Sequence, residues 1–430
     1  MKKAKMSFLS VLMILLVPTF VFAGGFQINE QGAKALGMGG AFVAQADDPT
    51  ALYFNPAGIT QLDGIQLSLG MSPITPAASF KSDLTGETTE ADESTFYIPN
   101  FYYTMKNTEK ISTGLAVFAN YGLGTEWPDN WEGRYIPGGT KVEIVTMTIN
   151  PNIAYKVTDK LSVAAGVDIQ NLDVTLENKL KMFPSEGGTV MLNSDGNSEL
   201  TADDWAYGWN AAIHYKITEK WKAGISYRSK IKHEIDDGTA DLSLPEGEII
   251  GGGAVPAMNI KRSGSTELTL PEILYIGTSY EIGKFTFEVD GQWTGWSSYD
   301  ELKIEFENGD QQVSPKDWED VWAIRLGEQY SVNKILDLRL GVIRDNSPIP
   351  DETVDPLVPS GDRWLYAVGL GFNFDRLTID VAYNYLDDEN RKFDNEVGKE
   401  PPYGYTAPEL TGEFKDVDAH IFGINVSYKF

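Results

Sequence analysis

The sequence predicts an all-β membrane protein, a 14-stranded antiparallel transmembrane β-barrel with a small N-terminal helical hatch plugging the lumen. Three observations predict it. From His420 to the terminus, Phe422, Ile424, Val426, Tyr428 and Phe430 fall on one face while Gly423, Asn425, Ser427 and Lys429 fall on the other, the period of a bilayer-spanning strand. Connections between strand-like segments alternate long and short, as external loops and periplasmic turns do. An export leader is followed by no apolar run long enough for a membrane helix, so a closed barrel is the spanning structure that remains.

In chain order, Lys2, Lys3 and Lys5 precede an apolar run from Met6 to Phe22 and the small residue Ala23. This reads as a signal peptide over residues 1–23, cleaved after Ala23. Residues 24–64 depart from strand alternation: they carry Gly37-Met38-Gly39-Gly40, Asp47-Asp48-Pro49 and Asn55-Pro56-Ala57. A short helix with tight turns is expected there, lying before the first strand as the hatch. The glycines lack the spacing and the Lys-Ser/Thr of a phosphate-binding loop. Residues 65–430 then form the barrel.

Strands are expected over residues 65–71, 95–106, 111–122, 142–157, 161–177, 204–217, 221–235, 265–282, 284–296, 318–332, 335–345, 362–374, 377–386 and 417–430. The even number suits a single-chain outer-membrane barrel. Phe285, Phe287, Val289 and Trp293 alternate with Thr286, Glu288, Asp290 and Gln292, so carboxylates face a lumen expected to be wet. Trp205, Tyr207, Trp209, Trp293, Trp296, Trp318, Trp322, Trp364, Tyr366 and Tyr428 lie toward strand ends and are expected to form interfacial girdles. Residues 178–203 and 236–264 are read as external loops. Their apolar members, including Leu180, Met182, Phe183, Ile249, Ile250, Val255 and Met258, are either a binding groove or small loop cores.

Composition narrows the function. The chain has no Cys and therefore no disulfide or thiolate chemistry. A formal charge of −27 argues against nucleic acid or anionic headgroups as direct partners. Only His214, His233 and His420 could serve as imidazole bases; His420 is phased outward toward lipid and His214 lies inward with no Ser or Asp motif, which leaves a barrel hydrolase unsupported. No metal site and no cofactor is expected. Arg228, Arg325, Arg339 and Arg363 are phased toward the lumen, where Glu272, Glu288, Asp290 and Asp337 are candidate partners.

Several short motifs then resemble one family in order. Gly25-Phe26-Gln27-Ile28-Asn29-Glu30, Ala46-Asp47-Asp48 and Asn55-Pro56-Ala57 are similar to the hatch of the FadL family of outer-membrane transporters for hydrophobic compounds. So are Tyr97-Ile98-Pro99-Asn100, Asn120-Tyr121-Gly122, Tyr207-Gly208-Trp209-Asn210, Leu270-Pro271-Glu272 and Asp362-Arg363-Trp364 further along. The resemblance implies a passive outer-membrane transporter, not an enzyme, acting on long-chain fatty acids or on uncharged aromatic or aliphatic hydrocarbons. It implies hatch residues Phe26, Asn29, Asn55, Pro56 and Ala57, an external groove, a lumen pocket, and lateral release at a kink over Asn120, Tyr121 and Gly122. The terminal Phe430 resembles the signal read by the barrel assembly machinery. Outer-membrane lipid and lipopolysaccharide are the expected surroundings of a monomer. Asp168, Asp173, Glu319 and Asp320 stand where fatty-acid members place basic residues, so carboxylate recognition stays open. A general porin or a surface adhesin is the rival reading; its lumen should need no plug.

Overall fold

Alternation of side chains along each strand builds one closed wall. The computed structural model describes residues 24–185, 187–399 and 409–430, and the leader expected over residues 1–23 lies outside them. Apart from short strands in the external connections, the wall strands are β1 (Ile65–Ser82), β2 (Phe96–Lys106), β3 (Ile111–Phe118), β4 (Gly122–Glu126), β5 (Lys141–Lys156), β6 (Leu161–Ser185), β7 (Gly188–Lys216), β8 (Trp221–Arg228) and β9 (Ile231–Leu244). They continue as β10 (Met258–Leu270), β11 (Ile273–Ile282), β12 (Phe285–Thr294), β13 (Val321–Ser331), β14 (Leu336–Asp345), β15 (Arg363–Phe374), β16 (Leu377–Asp388) and β17 (Gly412–Lys429). β3 runs on into β4, β8 into β9 and β10 into β11, so the described residues cross 14 times. Each crossing pairs antiparallel with the next. β17 closes the ring on β1, from Gln66↔Lys429 to Ser82↔Gly412.

The two faces of the wall obey different solvents. Along β13, Trp322 and Ile324 point outward and are exposed, whereas Val321, Ala323 and Arg325 point inward and are buried. Much of the inward face is buried because residues 24–64 pack into the lumen. Helix α1 (Ala33–Gly37) packs Ala33 and Leu36 against Ile343, Leu365 and Ala382. Helix α2 (Ala51–Phe54) and a 3-10 turn (Pro56–Gln61) pack Phe54, Ala57 and Ile59 against Ala116, Ala154 and Ala212.

Several expectations need correction. Residues 178–203 and 236–264 are largely strand: β6 and β7 stay paired from Leu161↔Tyr215 up to Ser185↔Gly188, and β9 pairs β10 from Ile231↔Leu270 to Leu244↔Met258. Outside the bilayer the sheet needs no apolar outer face, so its alternation fades from the sequence. β1 runs on to Ser82 and β17 begins at Gly412 for the same reason. Three expected strands are interrupted, one at Pro271, which has no N–H to give a ladder. Trp296 and Trp318 are not girdle residues; they are 0% and 4% exposed, packed beside Phe26 inside the lumen. The lumen carboxylates of β12 are not wet either. Asp290 accepts the N–H groups of Phe42 and Val43 (2.8 and 3.0 Å), and Glu288 accepts those of Ala44 and Gln45 (2.6 and 2.9 Å). Four hatch donors thus replace the water that burial removed.

Candidate functional site

The wall breaks where β3 becomes β4. Phe118 pairs with Thr148 and Gly122 with Val145, so Ala119, Asn120 and Tyr121 stand opposite only Thr146 and Met147. One extra residue is a β-bulge, which bends a strand out of its ladder. Thr146 takes up the freed groups, its Oγ accepting the Tyr121 N–H at 3.1 Å and donating to the Tyr121 carbonyl at 2.6 Å. The Asn120 amide oxygen accepts from Thr148 and Gln170, both at 2.8 Å. The groups freed at Tyr121 and the Asn120 amide oxygen thus keep partners through the bend.

Its consequence falls on the neighbouring strand. β2 pairs with β3 from Lys106 only as far as Phe101↔Val117, while on its other edge β1 accompanies it to Ile74↔Phe96. Among the described residues, no ladder partner faces Phe96–Asn100 on the β4 side. Five residues of strand rise about 16 Å, which sets the height of the resulting window.

The hatch takes up the pairing that β2 loses. Gln27 forms an antiparallel bridge with Tyr121, the Ile28 N–H donates to the Asn120 carbonyl at 3.0 Å, and the Gly122 N–H donates to the Phe26 carbonyl at 3.1 Å. Gly122 permits this approach, because a Cβ there would lie 2.5 Å from Ile28 Cδ1. Phe26 is caged edge-on by Tyr121, Trp296 and Tyr299, with Trp318 tilted against it. Asn29 accepts from the Tyr275 hydroxyl at 2.8 Å, and Gln27 accepts from Gln292 at 2.6 Å. Asn55 donates to the carbonyls of Val43 and Ile213 and accepts from Ala57 N–H, while Pro56 opens the 3-10 turn where no N–H is needed.

Two cavities meet at this segment. The first, about 80 Å³, is lined by apolar side chains of the upper wall such as Val174, Leu200, Ile235 and Leu268, together with Trp318 and Leu357. The second, about 580 Å³, lies behind the window and is lined by Ile74, Phe96, Ile98, Tyr121–Glu126 and Ile421. Phe26, Leu123, Val142, Ile144 and Val358 border both. Pockets that bury a small organic ligand run about 300–1,000 Å³, so the second is already large enough and the first is not.

The lumen arginines all point inward and are engaged; Arg228, Arg325 and Arg339 are buried and Arg363 is half-buried. Arg228 pairs with Asp168, Arg339 with Asp380 at 2.6 Å and Arg363 with Asp345 at 2.9 Å, while Arg325 donates to Gln292 at 2.7 Å and to the Gly39 carbonyl. Of the partners expected from phase, Asp337 is 3.9 Å from Arg339 and secondary; Glu272 points outward and bonds Tyr227. A cation that strand phase did not reveal lines the first cavity: Lys316, in the connection after β12, pairs with Asp355. Burial opposes its charge, but Asp355 and Tyr299 outweigh it and hold the ammonium above the ordinary lysine range. Both residues sit in irregular connections, where no period marks them. The external apolar residues gather as one cluster, with Val190, Leu192 and Leu244 buried and Leu180, Phe183, Ile249, Val255 and Met258 half-covered around them; Ile250 stays exposed and Met182 pairs with Met191 beside it. His214 faces the Ala44 carbonyl at 2.9 Å, His233 lies between Asp204 and Gln170, and His420 meets Tyr383 on the outer face.

Residues 14–430 match the family described as outer membrane protein transport protein (OMPP1/FadL/TodX). A long-chain fatty acid transport protein of Escherichia coli O6:H1 is 29% identical, with 97% of each chain covered. Outer membrane protein P1 of Haemophilus influenzae is 24% identical over the whole of both chains. Among solved structures, a FadL homologue of Pseudomonas aeruginosa superposes with a TM-score of 0.80 at 20% identity, covering 95% of this chain and 100% of that one. The toluene transporter TodX of Pseudomonas putida gives 0.72 at 17% identity, covering 96% and 99%.

Proposed function

This chain belongs to the OMPP1/FadL/TodX family of outer-membrane transport proteins, and we propose that it takes up long-chain fatty acids passively and releases them sideways through the β2–β4 window. The observation that carries the reading is a 580 Å³ cavity that abuts the only stretch of β2 without a ladder partner among the described residues. An acyl chain has a physical reason to leave this way. Each methylene exposed to water costs about 0.8 kcal/mol, on the order of 10 kcal/mol for a long chain, and exit into the bilayer avoids that exposure.

In this reading the external cluster around Val190 collects substrate, the small cavity beside Lys316 widens to take its head, and Phe26 divides that cavity from the larger one behind the window. Trp296 and Trp318 hold Phe26 by ring contacts alone, without a hydrogen bond from its side chain. A hydrophobic tail can replace those contacts in kind. Lys316 favours a carboxylate over a neutral ring, since a fatty-acid head can take the place of Asp355 at the ammonium. Uncharged hydrocarbons are the second reading, favoured by the fact that Lys316 already has its counter-charge. The protein works as a monomer here, since window and cavity belong to one barrel.

Uptake of oleate and of toluene by a deletion strain carrying the protein tests this, together with mass spectrometry of ligand released from protein purified in mild detergent. Oleate uptake and a co-purifying fatty acid are expected. Uptake of neither compound would sink the reading.

A further inference from the structure

We propose that Phe96 is the leaf of a gate across the upper half of the window and Gly124 its seat, so that this pair sets the bulk of the molecule that can pass. The proposal rests on the lateral-exit reading and adds to it the residues that close the opening.

The window has a complete frame. Its sill is the Phe101↔Val117 pair, and its lintel is the hydrogen bond from Asp92 N–H to the Glu126 carbonyl at 2.8 Å. Between them two different side chains cover the glycines of β4. Ile28 of the hatch lies on Gly122 and covers the lower part. Phe96 of β2 lies on Gly124 and covers the upper part, so closely that a Cβ on Gly124 would collide with its ring. Phe96 shares the inward face of β2 with Asn100 and Tyr102, is half-buried, and lines the cavity behind the window. Its side chain thus reaches across an opening that the backbone leaves unpaired.

The mechanics differ for the two covers. Ile28 is buried among packed neighbours, and its backbone N–H is bonded to the Asn120 carbonyl, so uncovering Gly122 disturbs the hatch itself. Phe96 needs only to turn about its own side-chain bonds, a motion of picoseconds to nanoseconds at a half-exposed site. A bare glycine gives the ring a flat seat; any side chain there would prop it open.

Initial uptake rates in the deletion strain test the pair, with removal of Ala119 as a sealed reference because it deletes the extra residue of the bulge. F96A is expected to raise oleate uptake by roughly tenfold, while F96W lowers it and affects toluene less. The chain has no Cys, so F96C offers one addressable thiol on assembled protein. Its benzyl methanethiosulfonate adduct, which restores a ring, should return uptake to the wild-type rate, and reduction should raise it again. Rates unchanged in F96A, F96W and the adduct, with the sealed reference inactive, would overturn the gate and leave lateral exit standing. Uptake undiminished in the correctly folded sealed reference would overturn both.

Discussion

Two arcs of one barrel solve the same problem in opposite ways. Between β14 and β15 the ladder is unbroken from Leu336↔Phe372 to Asp345↔Arg363, and the hatch meets this wall through helix α1 by side-chain packing. Between β2 and β4 the ladder is missing, and the hatch meets the wall through backbone hydrogen bonds to Asn120 and Gly122. A hatch that packs by side chains can rest on a wall that is already complete. One that pairs by backbone supplies what the wall lacks, since at bilayer depth each unpaired peptide group costs several kcal/mol. The opening is therefore made by the strand, and its lower part is held shut by the plug.

The comparison can be broken from either side. Removing Ala119 should let β3 and β4 run as one strand along β2, and oleate uptake should fall to that of the deletion strain while the barrel keeps its heat-modifiable mobility on gels. Replacing Glu288 and Asp290 together by Ala attacks the plug instead. Four N–H groups lose their acceptors, at about 1–3 kcal/mol for each left unsatisfied. The hatch should loosen and planar-bilayer recordings should show large conductance steps absent from the parent. A smaller effect is expected at the substrate head. K316M should lower oleate uptake about tenfold, the equivalent of about 1.4 kcal/mol, and leave toluene uptake within about twofold. On the unbroken arc, Leu340 faces lipid, and L340A should leave uptake unchanged and cost about 1 kcal/mol of stability in a denaturant melt at most.

The same contrast explains what the sequence disclosed. The strand that continues the complete arc, β16, was legible because Leu377, Ile379, Val381, Tyr383 and Tyr385 alternate with small and polar residues and meet bilayer on one side only. Family resemblance pointed to Asn120, Tyr121 and Gly122, but the bulge had no sequence signal, since a one-residue insertion shows only when two strands are laid in register. Glu288 and Asp290 read as water-facing because alternation reports the side of the wall and not what fills the lumen. Lys316 and Asp355 lie in connections without a period, so only the folded chain brings them to the first cavity. Phe96 looked like the start of a strand. Its place across the window depends on where β4 goes.

Photo-crosslinking tests lateral release most directly. A long-chain fatty acid carrying a diazirine near the end of its tail would be irradiated during uptake and the labelled peptides mapped by mass spectrometry. Label concentrated on residues 96–100 and 122–126, and lost when Ala119 is removed, is the predicted result. Label on the periplasmic turns and on residues 47–61 of the hatch, with the window clean, would show passage straight through the lumen and contradict lateral release.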